Sequence, residues 1–489
     1  MRWRNLLLPA LPILANVLTC TPYSRAQETP DRTAAVEEVF ADLAKPGSPG
    51  CAVAVAHNSK MILAKGYGLA SIEENVRITP DSVFDIGSTS KQFTAASILL
   101  LGKEGKLSIN DDIRKYIPEL PDYGKKITIL NLLNHTSGLR DYLTLFDLAG
   151  VNIDDVTTDQ DALALITRQK GLNFDPGSEW LYSNTGFFLL SVVVKRVSGQ
   201  SLRDFAAVNI FQPLGMSHTQ YRDTHTLLIP NRAQAYDPVE KGSGYTLDIS
   251  YFEQTGDGAV HTTVGDLLKW DENFYTAQVG GKALLAELQQ PGALNSGKAL
   301  TYAKGLAVGQ YRGLHTVSHG GSWGGYRAQL LRFPEQHFSV VCLCNRSDGD
   351  PEKRAEQVAD LYLSSVLKEK RAKTEDPKEG KHPPEISVPA PELEKFAGNY
   401  QSAELGVVYR LVVSEDKLKI GGILLPGGIP RSSDFQGKSL TPLGKDQFEL
   451  AGSSTQFQFQ RDSAGQPTGF ILNAGRTTGI LFVRASTGP

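Results

Sequence analysis

Two short alternating runs of apolar residues stand near the start of the chain. Cys51-Ala52-Val53-Ala54-Val55-Ala56 is followed by the polar turn His57-Asn58-Ser59-Lys60 and then by Met61-Ile62-Leu63-Ala64. This pattern predicts a β-hairpin. Upstream, residues 31–44 space their apolar positions as an amphipathic helix does. From Ser88 to about Tyr275 the pattern is mostly helical, and strand patterns return at residues 313–318, 326–333 and 338–344. A sheet drawn from both ends of a region, with helices between, is an α+β layout.

The texture changes near Lys368. Lys368-Glu369-Lys370-Arg371 and residues 374–384 are charged and then proline-rich, which predicts a linker over 369–390. Beyond it, short alternating strands are separated by turns at Ser414-Glu415-Asp416, Pro426-Gly427-Gly428 and Ala464-Gly465. Residues 391–489 are therefore expected to fold separately, as an all-β barrel or sandwich.

Composition changes this picture little. A length of 489 residues suits several domains, and the formal net charge of −3 comes with no basic stripe, so no nucleic-acid partner is expected. The first residues are more informative. Arg2 and Arg4 precede an apolar stretch over 6–18 that is interrupted by Pro9, Pro12 and Asn16, and Ser24-Arg25-Ala26 follows. That is a secretory signal pattern over 1–26, with cleavage near Ala26 and a secreted or periplasmic product. The stretch is short of the ~20 apolar residues of a spanning helix, so no stable membrane insertion is expected after its removal. Thr19 is a poor residue before a lipidated cysteine, which argues against a lipoprotein on Cys20. Cys51, Cys342 and Cys344 then remain. Cys342 and Cys344 alternate on one strand and cannot easily bond each other, so buried free thiols are expected, with the pairing of Cys51 left open. No CxxC or His/Cys cluster points to a metal, and no cofactor is expected.

The chemistry centres on Ser88-Thr89-Ser90-Lys91. Three residues apart on a helix, Ser88 and Lys91 share a face. Residues 93–101 are almost all apolar, so Ser88 should head a buried helix whose N-terminus favours developing negative charge. A serine hydroxyl needs a neighbouring base, and a desolvated lysine can be that base or assist one. The same spacing recurs at Ser365/Lys368 and Ser414/Lys417, but neither opens a buried apolar helix.

Two further motifs single out Ser88. Tyr182-Ser183-Asn184 lies between a Pro176-Gly177 turn and the apolar run 187–194. The Tyr182 phenol could act as base, and Asn184 could orient Lys91 and a substrate amide. His319-Gly320-Gly321 ends a predicted strand, where glycines let substrate approach the edge. The N–H of Ser322 is placed to pair with that of Ser88 as an oxyanion hole. His319 would offer a cation to a carboxylate at the rim.

With these motifs in this order, residues 36–367 resemble the serine β-lactamase and penicillin-binding-protein superfamily. The likeness is closer to class C β-lactamases, D-aminopeptidases, DD-carboxypeptidases and family VIII esterases. Leu132-Leu133-Asn134-His135-Thr136-Ser137-Gly138-Leu139 and Gly256-Asp257-Gly258 are similar to stretches common there. Phe396-Ala397-Gly398-Asn399-Tyr400 resembles the lipocalin-like β domain appended to many relatives. The resemblance implies acylation of Ser88, with Lys91 and Tyr182 as the proton-transfer pair, and hydrolysis of the acyl-enzyme by water. His135 is expected to be structural, and Trp323 either walls the pocket or simply packs. His319 stands where many β-lactamases have lysine and Gly320 where threonine is common, so carboxylate recognition should be weak above neutrality.

The expected function is hydrolysis of amide or ester bonds in a small-molecule or peptide substrate, such as D-amino-acid peptides or small esters. The alternatives are a β-lactamase or DD-carboxypeptidase and, in another class, a non-catalytic sensor of cell-wall fragments or β-lactams. Intact Ser88, Lys91 and Tyr182 argue against the sensor. Residues 27–368 would then form the hydrolase domain, and the tail would carry no essential catalytic group. Oligomeric state is not legible.

Overall fold

The computed structural model describes residues 31–369, 388–425 and 427–485. The expected leader and nearly all of the expected linker lie outside these residues.

The early hairpin is β1 (Cys51–His57) and β2 (Lys60–Tyr67). A late meander follows the helical region: β3 (Ala307–Tyr311), β4 (Leu314–Trp323), β5 (Tyr326–Phe333) and β6 (Phe338–Cys344). They form one antiparallel sheet in the order β3-β4-β5-β6-β1-β2. Both faces are covered, and β1 shows why its residues alternate. Ala52 and Ala54 enter the larger core beneath the helical region, while Cys51, Val53 and Val55 enter a second core on the other face. That second core is closed by α1 (Thr33–Val39) and α5 (Pro351–Tyr362). The helix expected over 31–44 breaks at Phe40 into α1 and a 3-10 turn, Ala41–Ala44.

The register of β1 on β6 sets Cys51 opposite Cys344, and the two form a disulfide. This corrects the expectation of free thiols for these two residues. Cys342 is free and buried, and burial pushes its thiol up to about 12. The pairing depends on a register 293 residues long in sequence, which local pattern does not reveal.

In the helical region, α2 (Lys91–Lys103) runs through the larger core, packed by α3 (Asn184–Ser198) and flanked by α4 (Val264–Thr276). Phe93 of α2 packs against Trp270 of α4 with ring centroids 4.9 Å apart, and the Trp270 indole N–H donates to Gln92.

The tail is a closed eight-stranded antiparallel barrel. Its strands are β7 (Gly398–Ser402), β8 (Val407–Ser414), β9 (Lys417–Leu424), β10 (Ser439–Pro442), β11 (Gln447–Leu450), β12 (Gln456–Arg461), β13 (Pro467–Ala474) and β14 (Thr477–Arg484). Pairing of β8 with β9 closes the ring, and a two-residue strand, Pro430–Arg431, pairs alongside the end of β9.

Among the described residues, body and barrel cluster as one compact unit from Arg32 onward. Arg140 is the hub of the seam. Its guanidinium pairs with Glu404 at 2.5 Å and donates to the carbonyls of Thr478 (2.8 Å) and Gly479 (2.9 Å). Both charged side chains are almost fully buried. Nearby, the Tyr409 hydroxyl donates to the Leu148 carbonyl at 2.7 Å.

Candidate active site

Ser88 sits in a 3-10 turn, Gly87–Ser90, that runs directly into α2. The turn is held from three sides. The Asp85 carboxylate accepts from the Gly87 N–H at 2.8 Å. The Thr89 hydroxyl donates to the His319 carbonyl at 3.2 Å. The Val260 N–H donates to the Ser90 hydroxyl at 3.1 Å. Gly87 has a positive φ of 47°, and a Cβ there would meet the Ser322 nitrogen at 2.7 Å. A Cβ on Gly321 would fall 1.9 Å from the Ile86 carbonyl oxygen. These two glycines are what let the end of β4 lie against the start of the nucleophile helix, bringing Ser322 beside Ser88.

Lys91 is fully buried. Its Nζ lies 3.0 Å from Ser88 Oγ, 2.9 Å from Asn184 Oδ1 and 2.6 Å from the Asp257 carbonyl. The last two partners are acceptors and take two N–H donors. The third position faces the serine: an ammonium donates there, and a free amine accepts the hydroxyl proton. Burial without full pairing would be costly, so the three contacts fix the amine beside its serine.

The phenol of Tyr182 does not bond Lys91. Instead Nζ lies 4.8 Å from the centroid of the Tyr182 ring, and the hydroxyl is buried with no partner among the described residues. Its support is His135, held at φ +58°, whose ring lies tilted against it with centroids 4.2 Å apart. His135 Nδ1 accepts the Ser183 N–H at 3.1 Å, and the His135 carbonyl accepts the Leu181 N–H at 3.0 Å. Burial, then the nearby Lys91, hold this imidazole neutral, well below its usual range. The role expected for it, a support, is the one its contacts describe. Asp141 continues the scaffold, its carboxylate accepting the N–H of Asn184 at 2.5 Å.

His319 differs from the expectation. It is buried, and desolvation followed by the charge of Lys91 lowers its pKa to about 4. Its Nδ1 lies 2.6 Å from the Gly320 carbonyl and therefore carries the proton, so Nε2 accepts from the Tyr302 hydroxyl at 2.9 Å. A cation that titrates near neutrality is thus replaced by a neutral imidazole facing inward. The sequence showed the residue type but not its burial.

These groups open on a cavity of ≈ 790 Å³ lined by Ser88, Tyr182, Asn184, His319, Gly320, Gly321 and Ser322. All the expected site residues except buried Lys91 therefore line one cavity, and Lys91 touches two of them. Trp323 also lines it, 5.5 Å from Phe252, and so serves as a wall. Asp257, Tyr142 and Arg476 are among the lining residues that were not singled out for this role from sequence. Burial, opposed by Lys91, raises the Asp257 carboxyl to about 6, and it accepts from the Tyr142 hydroxyl at 3.0 Å. The signal for Asp257 lay in the glycine-rich segment itself. Gly256 sits at φ +101°, where a Cβ would meet the Phe187 carbonyl at 2.4 Å.

Residues 36–363 match the family described as Beta-lactamase. The chain belongs to that family. It is 31% identical over 325 residues to penicillin-binding protein 4* of Bacillus subtilis strain 168, covering 62% of this chain and 69% of that one. A D-aminopeptidase of Gluconobacter oxydans strain 621H is 27% identical over 341 residues, covering 66% and 64%. The chain thus spans just under two thirds of that relative. Among solved structures, an octameric penicillin-binding protein homologue from Pyrococcus abyssi aligns at TM-score 0.60 and 22% identity, over 92% of this chain and 98% of that one. A D-amino acid amidase from Ochrobactrum anthropi SV3 aligns at TM-score 0.59 and 21% identity, over 68% and 99%. The fold is therefore that of the family, with the barrel as an addition. The protein is a β-lactamase-fold hydrolase related to D-aminopeptidases and penicillin-binding proteins. Among the described residues no helix is long and apolar enough to cross a membrane.

Proposed function

We propose that this protein is an exported serine hydrolase that cleaves amide or ester bonds through an acyl-enzyme on Ser88. Its substrates would be D-amino-acid peptides, as the name of its D-aminopeptidase relatives suggests, or small esters. The observation that carries the reading is the 3.0 Å contact between Lys91 Nζ and Ser88 Oγ inside a closed set of acceptors. Ser88 Oγ attacks the substrate carbonyl while its proton passes to the Lys91–Tyr182 pair. The backbone N–H groups of Ser88 and Ser322 receive the oxyanion. The same pair returns the proton to the leaving group, and a water then releases the acyl group by the reverse sequence. Asn184 orients Lys91 and donates its amide N–H to the substrate. The Cys51–Cys344 disulfide supports export, since such bonds persist mainly in oxidising compartments.

The test is intact-mass measurement after a fluorophosphonate, with peptide mapping. An adduct on Ser88, lost in Ser88→Ala together with turnover, is expected. An adduct on Ser90 or Ser365 in the folded protein would sink the assignment.

A further inference from the structure

We infer that Arg476, on a hairpin of the barrel, is the carboxylate-recognising residue of the active site, and that the substrates carry a carboxylate near the scissile bond. This rests on the acyl-enzyme reading above and narrows its substrate class. Ala474 pairs with Thr477 across β13 and β14, leaving Gly475-Arg476 as a two-residue turn. Gly475 takes a positive φ of 50°, as the first position of such a turn favours. The turn is anchored on the catalytic body. The Arg476 carbonyl accepts from the Asn173 side chain at 2.9 Å and from the Asp141 N–H at 3.3 Å. Asn173 also accepts from the Thr478 N–H at 2.9 Å. Asp141 is the residue that holds the Asn184 N–H, so the hairpin and the catalytic loop share one fixed point.

From that point the Arg476 side chain crosses to the pocket, with its guanidinium carbon 4.8 Å from the centroid of the Tyr182 ring. Lys91 Nζ lies at the same distance from the same centroid, so the two cations are less than two such distances apart. Three arginines line the cavity. Arg222 is spent on the carbonyls of Ser250 and His225, and Arg327 on those of Gly324 and Tyr326. Arg476 is exposed, and no carboxylate among the described residues pairs with it. A planar guanidinium held over an aromatic face with its N–H fork open suits bidentate capture of a carboxylate. His319, buried and neutral, leaves that task open on the β4 side of the pocket.

The experiment uses two N-acetyl-D-alanine esters that differ in one group, the 3-carboxyphenyl and the 3-carbamoylphenyl ester, at about pH 8. The full-length protein should favour the carboxylate ester in kcat/KM by roughly tenfold or more, the scale of a charge-assisted pair. Arg476→Gln should collapse that ratio towards one, mainly through KM, and Arg476→Lys should restore part of it. An unchanged ratio in folded Arg476→Gln, or no preference in the wild type, overturns the proposal. Turnover of neither ester also overturns it. Fluorophosphonate labelling of Ser88 then tells whether it falls alone or together with the acyl-enzyme reading.

Discussion

Inside the barrel, Phe448, Phe457, Phe459, Phe470 and Phe482 form a chain of ring contacts with centroids 4.6–5.5 Å apart. Inside the α+β body, buried Asp85, Asp257, His261 and His319 line one cavity, and Lys91 and His135 are buried as well. The first arrangement stabilises by burial of aromatic area and contains nothing that can react. The second desolvates charges, which costs stability unless each is paired or neutralised. The pKa directions record that cost: burial holds His261 at about 3 and His319 at about 4, and raises Asp85 and Asp257 to about 6. The barrel offers its polar groups where it meets the body, at Glu404, Arg476 and Thr477. An appended domain with an inert interior can thus still shape a reaction through its rim.

The largest effect should come from Lys91→Ala, which removes the amine that faces Ser88. A loss of roughly 10³-fold in kcat/KM on either ester is expected, with the fold retained. A loss below tenfold would place the chemistry elsewhere than in this cluster. The seam comes next. Arg140→Ala leaves Glu404 buried without its partner and should destabilise by about 3–5 kcal/mol in urea unfolding. A cost near zero, or a transition in two separated steps, would show body and barrel to be independent after all.

Acid should sharpen the contrast. The folded-state pKa of His319 is depressed to about 4, below the ordinary 6.5. The unfolded chain therefore binds its proton first as pH falls. Stability from this group is present above 6.5 and is lost as pH falls towards 4, by about 2 kcal/mol between pH 7.5 and 5. His319→Gln should lose that part of the pH dependence when urea midpoints are compared at the two pH values. An identical slope in wild type and variant would mean the imidazole is not held neutral. Asp257 should give the smallest effect. Raised to about 6 by burial, it is ionised above that pH and can balance the charge of Lys91. An acid limb in kcat near pH 6 is expected, absent in Asp257→Asn. Persistence of the limb in the variant would assign it to another group.

What the sequence made legible follows a physical line. The Ser88–Lys91 face, the hairpin and the β4 glycines are local, and periodicity or turn chemistry marks each of them. Cys51 opposite Cys344, Arg476 over Tyr182 and Arg140 against Glu404 join residues hundreds of positions apart, and no local pattern encodes their meeting. His319 failed differently. Its identity was plain, but its charge depends on burial and on Lys91, which the chain reveals only when folded. The charged, proline-rich composition over 369–390 said nothing of how firmly the barrel would seat.

The pairing of β1 with β6 has a consequence for the birth of the molecule. Cys51 and Cys344 are separated by 293 residues. At about 5–20 residues per second the ribosome needs roughly 15–60 s to reach the second after the first. Throughout that interval the β1 edge that will meet β6 has no native partner, and Val53 and Val55 lack the part of their core that β5, β6 and α5 supply. An unpaired apolar edge is a template for joining other chains. A nascent chain stalled before residue 338 should therefore need a chaperone to stay soluble, whereas one stalled after residue 344 can close its sheet.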